Sequence, residues 1–175
     1  MRLLSEAILF AAEAHAGQFR KDGRTPYINH PLQVMHLLIE KADINDVDIL
    51  RAAVLHDILE DTTYTFHDLA ERFGTTVAEV VSELSDDKTL SKDERKQQQL
   101  ILADTLSPSA RLIRISDKIC NVYDIIYAPP GNWTMERRVD YLKWAQSVVN
   151  KIRGTHNVLE QHFDDLLEEG FRFLS

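Results

Sequence analysis

The densest chemistry in the chain lies in the run His56-Asp57-Ile58-Leu59-Glu60-Asp61, directly after the apolar stretch Ala52-Ala53-Val54-Leu55. Read as one helix, positions i, i+1, i+4 and i+5 share a side, so one imidazole and three carboxylates project together. On a mostly buried helix that group is costly unless its members are paired or hold a cation. The bland alternative is a helix end with a solvated acidic tip. An imidazole nitrogen beside a carboxylate oxygen suits a hard divalent ion, but a pair is not a site, and further ligands must come from elsewhere. His30 is one candidate: it closes a basic loop and precedes Pro31, a residue suited to a first helical turn. Asp117 is another, set within the apolar seam Leu112, Ile115, Ile119, Val122 and Ile126. With Asn121 and Asp124 it makes a polar stripe at i, i+4 and i+7. A buried Asp needs a partner, and a salt bridge to Lys118 or Arg114 is the competing use of it.

The stretch from Gly17 to His30 is the least helical in the chain and sets Arg20, Lys21 and Arg24 beside Gly17, Gly23 and Pro26. It reads either as an exposed basic connector or as a functional loop carried by a rigid scaffold. His15, His36, His67, His156 and His162 lack a carboxylate cluster at ligand spacing and read as surface or helix-packing residues. Cys120 reads as a small buried apolar side chain.

Helices must position these groups. Leu4, Ala7, Ile8 and Ala11 recur at helical spacing. Pro31 opens a helix to about Ala42, and Asp46 caps one that carries Leu50, Ala53, Val54 and Ile58. Thr65 with Asp68, Thr76 with Glu79, and Ser91 with Glu94 have capping-box spacing. The seam from Leu112 to Ile126 stops at Pro129-Pro130-Gly131. Helices from about Thr134 to Arg153 and from about Thr155 to Glu169 follow. Alternating strand patterns and hairpin dipeptides are missing. The expectation is an all-α fold of eight or more helices, one domain over residues 1–175.

The composition agrees. Of 175 residues, 44% are hydrophobic and 27% charged, which excludes disorder as the main state. A single cysteine excludes a disulfide framework and cysteine-based zinc modules. No apolar run approaches the roughly 18 residues of a membrane span. The short run Ala7–Ala12, flanked by Glu6 and Glu13, does not suit a secretory signal. These features lead to the expectation of a soluble protein of a reducing cytoplasm with no membrane partner. A net charge of −8 argues against a nucleic-acid binder. A few Arg and Lys can still build a local positive pocket for an anionic small molecule.

Three segments carry a resemblance: Arg20-Lys21 leading through Pro26-Tyr27-Ile28-Asn29-His30-Pro31, His56-Asp57 with Glu60-Asp61, and Ser116-Asp117-Lys118-Ile119-Cys120-Asn121. In this order and at these separations they resemble the HD-domain hydrolases of the RelA/SpoT homologue superfamily, above all its small stand-alone alarmone hydrolases, from about Leu4 to Leu167. The resemblance implies a compact helical fold with one divalent metal, usually manganese. It implies removal of the 3′-pyrophosphate from guanosine tetra- or pentaphosphate, giving GDP or GTP and pyrophosphate. It places the metal on His30, His56, Asp57 and Asp117, and gives the attacking water to Glu60 and Asp61. It assigns phosphate contacts to Arg20 and Lys21, and further substrate contacts to Lys92, Asn121, Arg137 and Tyr141. Two departures stand out: Ile115-Ser116 replaces the family's Leu-Ala before the metal-binding Asp, and the basic loop is one residue shorter than in the metazoan type. Another nucleotide phosphorylated at the 2′ or 3′ position, such as NADPH, would suit the same site. A non-catalytic nucleotide-binding module would require a broken ligand set.

Overall fold

The computed structural model describes residues 2–175. Among them ten α-helices follow in order: α1 (Arg2–Ala14), α2 (Asn29–Ala42), α3 (Val47–Leu55), α4 (Ile58–Asp61), α5 (Phe66–Phe73), α6 (Thr75–Leu84), α7 (Lys92–Leu102), α8 (Pro108–Tyr127), α9 (Met135–Lys151) and α10 (Asn157–Phe173). A 3-10 turn, Ala103–Thr105, leads from α7 towards α8. Among the described residues the only extended pairing is an isolated antiparallel bridge between Phe19 and Pro26, inside the basic loop. The fold is all-α, as the periodicity predicts.

Side-chain caps set most of the helix starts. The Asp46 carboxylate accepts from the amides of Asp48 and Ile49, and the Thr134 hydroxyl accepts from Arg137. Thr65–Asp68 and Ser91–Glu94 both close as capping boxes, each satisfying two amides that a helix start leaves orphaned. The expected Thr76–Glu79 box does not form. Gly74, at φ 91°, turns the chain directly from α5 into α6, and helical geometry is already in place at Thr75. The last helix starts later and runs further than expected. His156 is its N-cap, and the Glu160 carboxylate accepts from the amides of Thr155 and His156 at 2.8 and 2.9 Å.

All the buried apolar side chains but Val148 form one cluster, to which every helix but α7 contributes. The 20-residue α8 runs through it against α2, α3, α6, α9 and α10. Of the glycines, Gly170 on α10 is the one closely packed by neighbouring side chains. A Cβ there would lie 2.6 Å from Ile126 Cδ1 on α8 and 2.8 Å from Leu142 Cδ2 on α9. Helix α7 buries no residue and instead lends its polar face to the rim of the main cleft.

The helix expected to run through His56-Asp57 is broken there. Helix α3 stops at Leu55, His56 is its C-cap, and Asp57 (φ −97°, ψ −1°) turns the chain before α4 begins. On an unbroken helix, neighbours one apart do not face each other. The break lets both side chains meet.

Candidate metal centre and substrate cleft

Four side chains from three places in the fold converge. His30 comes from the first turn of α2, His56 and Asp57 from the α3–α4 break, and Asp117 from the middle of α8. His30 Nε2 lies 3.1 Å from Asp117 Oδ1 and 3.8 Å from Asp57 Oδ2. His56 Nε2 lies 3.1 Å from Asp57 Oδ2 and 3.9 Å from Asp117 Oδ1. His30, His56 and Asp117 are all buried, and one ligand atom from each falls within 4.8 Å of the others. His56 Nδ1–H donates to the Ala53 carbonyl at 2.8 Å, which turns Nε2 towards the cluster, where its contact with Asp57 is not aligned as a hydrogen bond. A backbone carbonyl fixing the tautomer in this way is the usual support of a ligating imidazole.

The surroundings tune this group. Burial pulls the His56 imidazole down, but Asp57 and Asp117 outweigh it and lift it to about 9. At His30 burial wins over Asp117, and the imidazole is held below its ordinary value. Burial opposes charge on both carboxylates, yet His56 keeps Asp57 ionised, and Lys118 with His30 keeps Asp117 ionised, both well below the usual carboxylate range. Two carboxylates thus face a position where positive charge is favoured. The two uses of Asp117 are compatible: Oδ2 pairs with the Lys118 ammonium at 3.0 Å while Oδ1 faces the histidines. Arg114 bonds the Leu84 carbonyl instead. The Tyr27 hydroxyl donates to Asp57 Oδ2 at 2.8 Å, so the segment before His30 also steadies the cluster.

Beside the cluster opens a cleft of about 380 Å³, lined by Arg20, Lys21, Glu60, Asp61, Lys92, Asn121 and Tyr141 among others. That volume falls in the range of small-molecule sites. Glu60 lies 3.5 Å from Arg95, and its carboxylate also takes the Asp86 amide. Burial, with Asp86, Asp57 and Asp61 nearby, raises its carboxyl to about 7. Asp61 is paired with Lys88. The two carboxylates therefore differ: Glu60 has only a long contact with Arg95 and is poised near neutrality, while Asp61 sits in a close ion pair.

The basic residues separate in the same way. The Lys21 ammonium lies over the rings of Trp133 and Tyr141, at 5.4 and 5.6 Å. Burial and the neighbouring Arg20, Lys92 and Lys118 lower it to about 8. Lys92 stands over Trp133 at 5.4 Å, and Arg137 stacks on the same ring at 4.3 Å. Arg137 thus belongs to the cationic wall around Trp133 without lining the cleft itself. Arg20 is not a free cation: its guanidinium is bound to Asp124 and Asn121.

Sequence reasoning missed several members of this site. Tyr27 lies in the Pro26–Pro31 segment, and its spacing of three from His30 is the available signal. Lys88, Arg95 and Lys96 sit around the start of α7 near Lys92, and only Lys92 was singled out. Trp133 and Trp144 carry no local signal, because they meet Lys21 and Lys118 only through the packing of α9 beside the loop and α8. Ser116, one of the departures from the family pattern, is fully buried with its hydroxyl unpartnered. Cys120 is half-buried, and burial raises its thiol, in keeping with an inert packing residue. His15 is buried and stacks on Tyr27. No helix of the described residues is long and apolar enough to cross a membrane.

Comparison with known proteins gives a consistent result. The HD-domain family pattern matches residues 7–129. The chain is 42% identical over 172 residues, 97% of its length and 96% of the other, to the guanosine-3′,5′-bis(diphosphate) 3′-pyrophosphohydrolase MESH1 of Danio rerio. It is 37% identical over 128 residues to the bifunctional (p)ppGpp synthase/hydrolase SpoT of Escherichia coli K12, spanning 70% of this chain and 18% of that protein. It superposes with a TM-score of 0.93 and 40% identity on a solved metazoan ortholog of SpoT, described as hydrolysing ppGpp and acting in starvation responses, over 97% of this chain and 96% of that one.

Proposed function

The chain belongs to the HD-domain family, among its MESH1- and SpoT-type hydrolases, and on that premise we propose that it is a metal-dependent pyrophosphohydrolase removing the 3′-pyrophosphate of guanosine tetra- or pentaphosphate. The observation that carries the reading is the convergence of His30, His56 and Asp117, with Asp57 against both imidazoles, beside Glu60 and a cationic cleft. An intact ligand set and two adjacent carboxylates support an enzyme over a non-catalytic binding module.

His30, His56, Asp57 and Asp117 would hold one divalent ion. Two findings fit that assignment: the buried, unpartnered Nε2 of His56, and a pair of ionised carboxylates that favour positive charge where that nitrogen points. Their nitrogen-and-oxygen donor set, free of thiolate, suits manganese. When bound, such an ion supplies Lewis acidity to a phosphoryl oxygen and makes water acidic enough to ionise near neutral pH.

The chain's own residues do the rest. Glu60, poised near pH 7, accepts a proton from the attacking water, a role worth typically 10²- to 10⁴-fold. Asp61, held by Lys88, orients that water. Lys21, Lys92 and Arg20 offset the charge of the 3′-pyrophosphate and of the transition state. Asn121 and Tyr141 supply further substrate contacts from the cleft lining, and Arg137 adds positive charge from the cationic wall around Trp133 behind it. Water attacks the phosphorus next to the sugar, the bond from that phosphorus to the 3′-oxygen breaks, and the 3′-oxygen leaves with a proton as a hydroxyl. The products are GDP or GTP and intact pyrophosphate.

Hydrolysis in isotopically labelled water tests this. The label should enter pyrophosphate and be absent from the nucleoside 3′-hydroxyl. Release of single phosphates from alarmone would place the cleavage at another bond, and faster hydrolysis of NADPH in a parallel assay would give the cleft another substrate.

A further inference from the structure

Arg20 reaches the cleft from a loop, and a loop does not by itself hold a long side chain in one geometry. Here the guanidinium is fixed. Nε donates to Asp124 Oδ2 at 3.0 Å, and Nη2 donates to the same oxygen at 2.6 Å. Nη2 also donates to Asn121 Oδ1 at 3.0 Å, which leaves Nη1 as the uncommitted nitrogen. Asn121 in turn donates through Nδ2 to Asp117 Oδ1. The polar stripe on α8, one turn per member, therefore indexes Arg20 to the proposed metal cluster.

Asp124 stands behind this arrangement. It lines a hollow of about 50 Å³ on the far side of Arg20, together with Thr25, Asn29 and Gln33, and is absent from the lining of the cleft. The pair is largely shielded, with side-chain exposures of 11% for Arg20 and 27% for Asp124. A charge-assisted fork of this kind is short and directional.

We propose that Asp124 is a positioning residue for phosphate binding: it holds the Arg20 guanidinium so that Nη1 is presented to the 3′-pyrophosphate in a fixed place relative to the metal cluster. The proposal rests on the reading of Arg20 as a phosphate contact. Two effects oppose each other. The Asp124 charge weakens the attraction of Arg20 for an anion, while the fork removes in advance the rotamer freedom that an arginine otherwise loses on binding. The proposal commits to the second effect as the larger.

The test uses the manganese-loaded full chain with alarmone as substrate. Asp124→Asn should raise KM about tenfold and leave kcat within about threefold, and Asp124→Glu should recover part of the loss. In the Arg20→Ala background, Asp124→Asn should add less than twofold, because it acts only through Arg20. The Arg20 Nε–H resonance, assigned by its disappearance in Arg20→Lys, should be sharp and slowly exchanging in the wild type and broadened in Asp124→Asn. Should Asp124→Asn fail to fold, Arg20→Lys serves instead: it keeps the charge, loses the fork, and should raise KM to a similar degree. An unchanged or lowered KM in Asp124→Asn, a full additive effect in the double variant, or a wild-type KM in Arg20→Lys overturns the proposal. A wild-type chain inert towards alarmone, or Arg20→Ala with an unaltered KM, instead overturns the reading beneath it.

Discussion

Along α8 the side turned to α9 and α10 and the side turned to the cleft are both buried, by opposite means. On the first, Ile126 closes against Gly170 so tightly that one added carbon has no room. Such burial is driven by removal of apolar surface, at about 25 cal/mol per Å². On the second, Asp117 meets His30 of α2 and pairs with its α8 neighbour Lys118, while Asn121 and Asp124 bond Arg20 of the basic loop. Buried ion pairs recover their desolvation cost poorly, so this side is not built for stability. The difference separates what makes the fold from what makes the chemistry, on one helix.

The sharpest way to break the comparison is at the cluster. Asp117→Asn should abolish bound metal by elemental analysis and reduce turnover more than any other change considered. Glu60→Gln should lower kcat about 10²- to 10⁴-fold with metal content near normal. Loss of metal in Glu60→Gln would move Glu60 into the ligand set. Glu60→Gln should leave the thermal midpoint near the wild-type value, since Glu60 lies outside the apolar cluster, whereas Asp117→Asn should lower it, because it leaves the buried Lys118 ammonium without its partner.

On the other side of α8 the signs reverse. Gly170→Ala should destabilise the fold by about 1–3 kcal/mol, as overpacking does, read as a fall in midpoint of several degrees. Turnover per folded molecule should stay at the wild-type level. A large loss of activity with an intact midpoint would mean that the two sides of α8 are coupled.

A smaller effect follows from pH. Lys21 is charged below about 8, so KM for an anionic substrate should rise as pH passes upward through that value, by up to about tenfold, and Lys21→Ala should flatten the rise. Glu60 supplies a stability counterpart. Its carboxyl is raised from 4.5 to about 7, so the folded metal-free protein keeps a proton that the unfolded chain releases. Stability should therefore fall as pH climbs from about 4.5 to 7, and Glu60→Gln should reduce that slope. The smallest change expected is at Ser116. Its hydroxyl is buried without a partner, so Ser116→Ala should be neutral or stabilising by no more than about 1 kcal/mol. A clear loss would reveal a partner for that hydroxyl.

Much of this was legible in the sequence because it is local. Capping boxes at Thr65 and Ser91, the cap at Asp46, and the seam from Leu112 to Ile126 are decided by residues three or four apart, and they appear where expected. His30, His56, Asp57 and Asp117 could be singled out by type and motif. Three things could not be read. Gly74 preempted the cap at Thr76, because the approach of α5 to α6 is set by tertiary packing. The commitment of Arg20 to Asp124 spans 104 positions, a distance no periodicity reports. Trp133 became a platform for Lys21, Lys92 and Arg137 only when the loop, α7 and α9 came together.

The break between α3 and α4 has a consequence for engineering. A designer transplanting this centre into a helical bundle would draw Val47 to Asp61 as one ideal rod, since the pattern invites it. That rod would swing Asp57 away from His56 and leave the imidazole facing a partial ligand set, however faithfully every side chain were copied. The transferable unit is therefore two short helices with a two-residue elbow, His56-Asp57, and the backbone of Asp57, more than its carboxylate, is the part to be copied first.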